Sequence, residues 1–181
     1  MALRLWFLKN IKDNSIQNVA ETKMDFVIGD TKYCQMNAAD YNFYLAEDSS
    51  LLYNGLHGDF SVLLGGNWHF ELIVDSSTGL CTQMQSFLNK LEVTYTSLQL
   101  PKSKHKDLYF VSKDALKPGC GCHYFPFVNR AFWDEEKKIL CYGDVNSNGE
   151  AVEFTSKTIA VIENKQLMCV YLVLDDINEK I

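Results

Sequence analysis

Positive charge is absent from one long stretch of this chain. Between Tyr33 and Asn89 there is no lysine or arginine, while Asp40, Glu47, Asp48, Asp59, Glu71 and Asp75 supply six carboxylates. With a formal net charge of −6, the chain lacks the basic footprint that phosphate backbones demand, so nucleic acid is not expected as a partner. Long apolar runs are absent too. No stretch approaches the roughly 18 apolar residues of a spanning helix, and no membrane partner is expected. The run from Ala2 to Leu8 is short, broken by Arg4, and followed by no small-residue cleavage site, unlike a secretory leader. Six cysteines, at 34, 81, 120, 122, 141 and 169, are too scattered over 181 residues for a disulfide framework, so a reduced, cytoplasmic setting is expected. Phosphate loops, dinucleotide fingerprints and catalytic triads at diagnostic spacing are likewise missing, and no nucleophile-elbow glycines flank Ser61. No cofactor is expected.

What remains is a composition 47% hydrophobic and 13% aromatic, enough for one globular β-rich domain over 1–181 with its own core. The acidic stretch is followed by Lys90 to Lys117, where six lysines outnumber Glu92, Asp107 and Asp114. The two segments either complement each other on the folded surface or leave an acidic face for a basic partner or a cation.

The segment from Asp59 to Asp75 organises the rest. Gly65-Gly66-Asn67 tolerates positive φ and is flanked by aliphatic, aromatic and β-branched residues, the signature of a hairpin. A two-residue loop would mix polar and apolar side chains on each face. A three-residue loop pairs Leu64 with Trp68, Val62 with Phe70 and Phe60 with Leu72 on a core face. Its other face pairs Leu63 with His69, Ser61 with Glu71 and Asp59 with Ile73, and this register is preferred because it segregates polarity better. Asp59, Ser61, His69 and Glu71 then share a solvated polar face.

Further strands are expected at Leu3 to Leu8, in a hairpin of Lys23 to Ile28 with Thr31 to Gln35 around Gly29-Asp30, and at Tyr41 to Ala46; Leu51 to Gly58 reads as a connection. Beyond the Asp75-Ser-Ser-Thr-Gly79 turn, Leu80, Met84, Phe87, Leu88 and Leu91 fit the i, i+4, i+7, i+8, i+11 template, so a helix is favoured over 80–91. A strand returning antiparallel is the alternative. Val93 to Leu100, Leu108 to Ser112, Lys138 to Tyr142 and Ala151 to Phe154 follow as strands. Thr158 to Glu163 and Gln166 to Asp175 are apolar on both faces, as strands inside a layered structure are. Ile159 and Val161 are expected to share a side with Met168, Val170 and Leu172, and Ala160 and Ile162 with Leu167, Cys169 and Tyr171. The fold class is mainly β: an antiparallel sandwich or strongly bent sheet, carrying one helix if 80–91 is helical.

Four groups of residues could carry chemistry. On the hairpin's polar face, Ser61, His69 and Glu71 could bind a ligand, hold a metal or do acid/base work; an ordinary solvated sheet face is the simpler account. Cys120, Cys122 and His123 could supply three metal ligands or an activated thiolate, although no second ligand pair follows at zinc-site spacing. Asp144-Val-Asn146-Ser-Asn148-Gly149 matches the start of a calcium loop, but position twelve is Thr155, so an Asn-Gly hairpin turn is preferred. Finally, Tyr124, Phe125, Phe127, Phe132 and Trp133 surround Arg130, where aromatics beside an arginine could clasp a planar or anionic ligand. A core-crossing segment with Arg130 paired to a carboxylate is the alternative. The expected function is binding of a protein or small ligand through an acidic and aromatic surface. The alternative is a metal-dependent or cysteine-based, hydrolase-like enzyme using His69 and Glu71, or Cys120, Cys122 and His123.

Overall fold

A computed structural model describes residues 24–30, 40–45, 50–54, 58–65, 70–87 and 92–174, with 40–45, 50–54 and 87 described at the level of the backbone. Among these residues every regular element is a strand. In chain order they are β1 (Met24–Ile28), β2 (Asp40–Leu45), β3 (Ser50–Asn54), β4 (Phe60–Leu64), β5 (Phe70–Val74), β6 (Cys81–Phe87), β7 (Val93–Tyr95) and β8 (Lys104–His105). The second half contributes β9 (Leu108–Ser112), β10 (Gly121–Tyr124), β11 (Ala131–Asp134), β12 (Ile139–Gly143), β13 (Glu150–Thr155), β14 (Thr158–Glu163) and β15 (Gln166–Val173).

These strands form two open sheets and a ribbon. One sheet runs β10-β4-β5-β6-β3-β2, the other β7-β11-β12-β15-β14-β13-β8, and β1 pairs with β9. Pairing is antiparallel except at edges, where β10 lies parallel to β4, β7 to β11 and β8 to β13. The main core lies between the sheets. Phe60, Val62, Leu64, Phe70 and Leu72 of one meet Trp133, Leu140, Tyr142, Phe154 and Val170 of the other, while Phe26 and Phe110 of the ribbon join them. Each such aromatic or aliphatic burial removes apolar surface from water, contributing about 1.5–3 kcal/mol. The opposite face of the second sheet carries its own apolar cluster, in which Leu98 packs with Ile139, Cys141, Val161 and Tyr171. No described helix is long and apolar enough to cross a membrane.

The sandwich agrees with the expected fold class, with several corrections of detail. Residues 81–87 are a strand rather than a helix. The Asp75 carboxylate accepts hydrogen bonds from the Ser77 and Thr78 backbone, and Gly79 takes φ 79°, so the chain doubles back and β6 pairs with β5. Ladder pairing with both neighbours thus overrides the helical spacing of Leu80, Met84 and Phe87. β3 (Ser50–Asn54) takes up the first four residues of the expected connection, Leu51 to Asn54, and joins β2 to β6. Val93 to Leu100 is strand only to Tyr95, because the Leu98 N–H is drawn to the Asp134 carboxylate (2.8 Å). Asn148-Gly149 closes no hairpin: β12 and β13 stand two strands apart, with β15 and β14 between them. A two-residue hairpin turn is made instead by Asn164 and Lys165, which join β14 to β15 at φ 51° and 65°, as a type I′ turn requires. Within that hairpin Val161 pairs with Cys169 but Ile162 with Leu167, leaving Met168 as a bulge. The bulge exchanges the faces beyond it, so Val170 and Leu172 join Ala160 and Ile162, while Cys169 and Tyr171 join Ile159 and Val161. The strand expected at Leu3 to Leu8 and the hairpin partner Thr31 to Gln35 lie outside the described residues.

Candidate functional site

β4 and β5 form the expected hairpin, but in a register shifted by two residues. Leu63 pairs with Glu71, Val62 with Leu72 and Ser61 with Ile73. A shift of two preserves which side chains share a face, so Phe60, Val62, Leu64, Phe70 and Leu72 still point into the core. Ser61 and Glu71 become diagonal neighbours rather than opposite ones, and the Ser61 hydroxyl still hydrogen-bonds the Glu71 carboxyl. The shared face is not solvated: Leu63, Glu71 and Ile73 are each 3% exposed. Burial pushes the Glu71 carboxyl up to about 7, against a smaller downward pull from Ser61. Gln85 of β6 pairs with Glu71, and His123 of β10 stands beyond Leu63 on the same row, its imidazole pKa lowered by burial. His69 lies outside the described residues. Asp59 is exposed and accepts the Ser76 N–H (2.7 Å) and hydroxyl (2.9 Å), while the Ser77 hydroxyl holds the Asp75 carboxyl below its usual range. Two carboxylates of the acidic stretch thus fasten one turn.

Cys120, Cys122 and His123 do not converge. Successive side chains on a strand point to opposite faces, so Cys122 and Tyr124 enter the core while His123 lies on the other side of the sheet. Cys120 packs half-buried against the core. Among the described residues no three His, Cys, Asp or Glu side chains gather to hold a metal ion. Cys81, Cys120, Cys122, Cys141 and Cys169 are free thiols. Burial pushes Cys122 up to about 12 and raises Cys81 as well, while Cys141 is raised first by its hydrogen bond to Cys169. Because the thiolate is the reacting form and the reagent needs access, iodoacetamide at pH 7.5 should label the half-buried Cys120 well ahead of the buried Cys81, Cys122 and Cys141. Peptide mapping after timed alkylation checks this, and equal labelling of Cys120 and Cys122 would contradict the buried placement of β10.

The aromatic run resolves into the loop 125–130 between β10 and β11, in which Phe127 is buried and the other residues are exposed. Tyr124, Phe127 and Trp133 are buried, whereas Phe125 is 67% exposed, Val128 is 42% exposed and Arg130 is exposed. Two three-residue turns shape the loop, the Phe127 N–H donating to the Phe125 carbonyl (2.6 Å) and the Arg130 N–H to that of Val128 (3.0 Å). Both ends are tied to the sheets: the Gly65 N–H donates to the Tyr124 carbonyl (3.0 Å) and the Gly143 N–H to the Arg130 carbonyl (2.8 Å). The Phe127 ring sits 5.0 Å from that of Tyr142, whose hydroxyl donates to Asn129 Oδ1. Burial raises the Tyr142 pKa to about 12, so that hydroxyl stays a donor throughout the neutral range. Phe125 stacks on His123, centroids 5.4 Å apart. No carboxylate among the described residues pairs with Arg130, so the ion pair expected for a core-crossing segment is not formed there.

Sequence reasoning singled out Phe125 and Arg130 but missed Asn129, Tyr142 and Gly143, which fix the loop from outside the aromatic run. A glycine directly after the apolar run Ile139 to Tyr142 was the available signal. No known family model matches this chain, and no curated protein matches it by sequence.

Proposed function

We propose that the protein is a binding module that engages a partner through the loop 125–130. The observation that carries this reading is that Phe125, Val128 and Arg130 are displayed on a loop anchored by the buried Phe127 and by backbone bonds at both ends. Preorganised display lowers the ordering cost of association, and aromatic and arginine side chains dominate binding energies at interfaces. Of the expected acidic contribution, Asp59 and Asp75 are engaged in a turn and Glu71 is buried, so the aromatic part of the surface takes precedence.

The enzymatic alternative draws on one observation, the raised Glu71 pKa, since a carboxyl near neutrality suits general acid–base work. A side chain 3% exposed has little access to substrate, and a Cys122 thiol pushed up to about 12 is a poor nucleophile. Binding is therefore preferred.

Incorporating a photo-crosslinking benzoylphenylalanine at Val128 should give discrete adducts in the cells that make the protein. Phe125→Ala should reduce them on the order of tenfold. Adducts no stronger than those from the exposed Lys113 position, or insensitive to Phe125, would refute the proposal.

A further inference from the structure

Resting on that reading, we infer that the partner is a protein segment presenting a carboxylate beside an aliphatic or aromatic side chain, with Arg130 receiving the carboxylate. The chain carries 23 acidic residues against 17 lysines and arginines, yet no described carboxylate pairs with Arg130. The loop's own construction uses the Arg130 backbone, through its N–H to Val128 and its carbonyl to Gly143, and leaves the guanidinium uncommitted. An exposed arginine on the same short loop as the exposed Phe125 and Val128 is suited to a planar, bidentate anion whose neighbours are apolar. Once the apolar side chains exclude water, the lower local dielectric strengthens that ion pair.

Charge separates this partner from its rivals. A second copy would bring another net −6, so the two chains repel at low salt. Nucleic acid and an anionic membrane meet the same repulsion. One arginine contributes only about 1 kcal/mol at an anionic lipid surface, too little for stable anchoring by itself. An acidic and apolar peptide segment needs just the local complementarity that the loop offers.

The test selects random dodecapeptides displayed on phage against the full-length protein, with counter-selection on Phe125→Ala. Selected peptides are then synthesised and titrated against wild type, Arg130→Met and Arg130→Lys at low and high salt. The selected peptides are expected to share an Asp or Glu within a few residues of a large apolar side chain. Arg130→Met should weaken their binding about tenfold, Arg130→Lys by less, and salt should weaken wild type but not the Met variant. Since Arg130 and Phe125 are exposed, unchanged thermal melting of each variant confirms that folding is intact. Peptides that depend on Phe125 but lack an acid, or bind Arg130→Met equally well, overturn the carboxylate inference and leave the loop reading standing. Selection of no peptide that distinguishes wild type from Phe125→Ala overturns both. Phe125-dependent binding to phosphatidylserine vesicles in place of peptides would replace the protein segment with a membrane and likewise overturn the inference.

Discussion

Replacing Glu71 by glutamine should make the folded protein about 3 kcal/mol more stable at pH 8 while leaving it nearly unchanged at pH 4. Glu71 sits on β5, between β4 and β6, 3% exposed, and its carboxyl is raised from 4.5 to about 7 chiefly by burial. In the unfolded chain the carboxyl ionises near 4.5; in the folded protein it keeps its proton to about 7. Its stabilising contribution is thus fully present below the lower value and is lost as pH rises through the upper one. A glutamine amide retains a hydrogen bond to Ser61 without the burial of a charge. Urea unfolding of both proteins across pH 4–8 isolates Glu71 from other titrating groups such as His123, because only the difference between the two curves is read. Parallel curves would mean that Glu71 is solvated and the β4–β5 face is not buried.

Gly143→Ala should destabilise the protein by about 3 kcal/mol or more and release the loop 125–130. Gly143 adopts φ 118°, a conformation side-chain-bearing residues rarely take, and an added Cβ would stand 2.3 Å from the Met168 carbonyl oxygen and 2.6 Å from the Cys169 Cα. Both obstacles are backbone of the neighbouring β15, which no rotamer change can move. Relief requires parting β12 from β15, where Gly143 pairs with Cys169, and withdrawing the N–H that holds the Arg130 carbonyl. The measurements are the urea midpoint and the response of binding to Phe125→Ala, which should shrink once the loop is no longer held. A loss within about 0.5 kcal/mol, the range of ordinary surface substitutions, would contradict the close approach of the strands.

Local chemistry made the sandwich legible. Alternation along Phe60, Val62 and Leu64 marked a core-facing strand, and the two-sided apolar character of the last two strands marked them as interior; the first three side chains are buried, and β14 and β15 bury residues on both faces. What escaped was decided by contacts distant in sequence. The Met168 bulge leaves no trace in polarity, because both faces of β15 are apolar, so the exchange of Val170 and Cys169 between faces was unreadable. Residues 81–87 satisfy a helical template, and ladder pairing with β5 across a tight turn and with the more distant β3 decides against it. At the candidate site, the Ser61–Glu71 contact survived a register shift because diagonal neighbours still touch. Glu71's burial was unpredictable from a sequence in which Asp59, Ser61 and His69 pointed to a wet face. The separation of Cys122 from His123, by contrast, follows from strand alternation once Gly121–Tyr124 is recognised as a strand.

Amide hydrogen exchange at Gly65 and Gly143 tests most directly whether the loop is held rigid by the sheets. Their N–H groups donate to the Tyr124 and Arg130 carbonyls at the two ends of the loop. Both amides should exchange on the order of a hundredfold or more slowly than in an unstructured peptide. Exchange at unstructured rates would show that Phe125, Val128 and Arg130 lie on a segment the fold does not shape, and a preorganised binding loop would be ruled out.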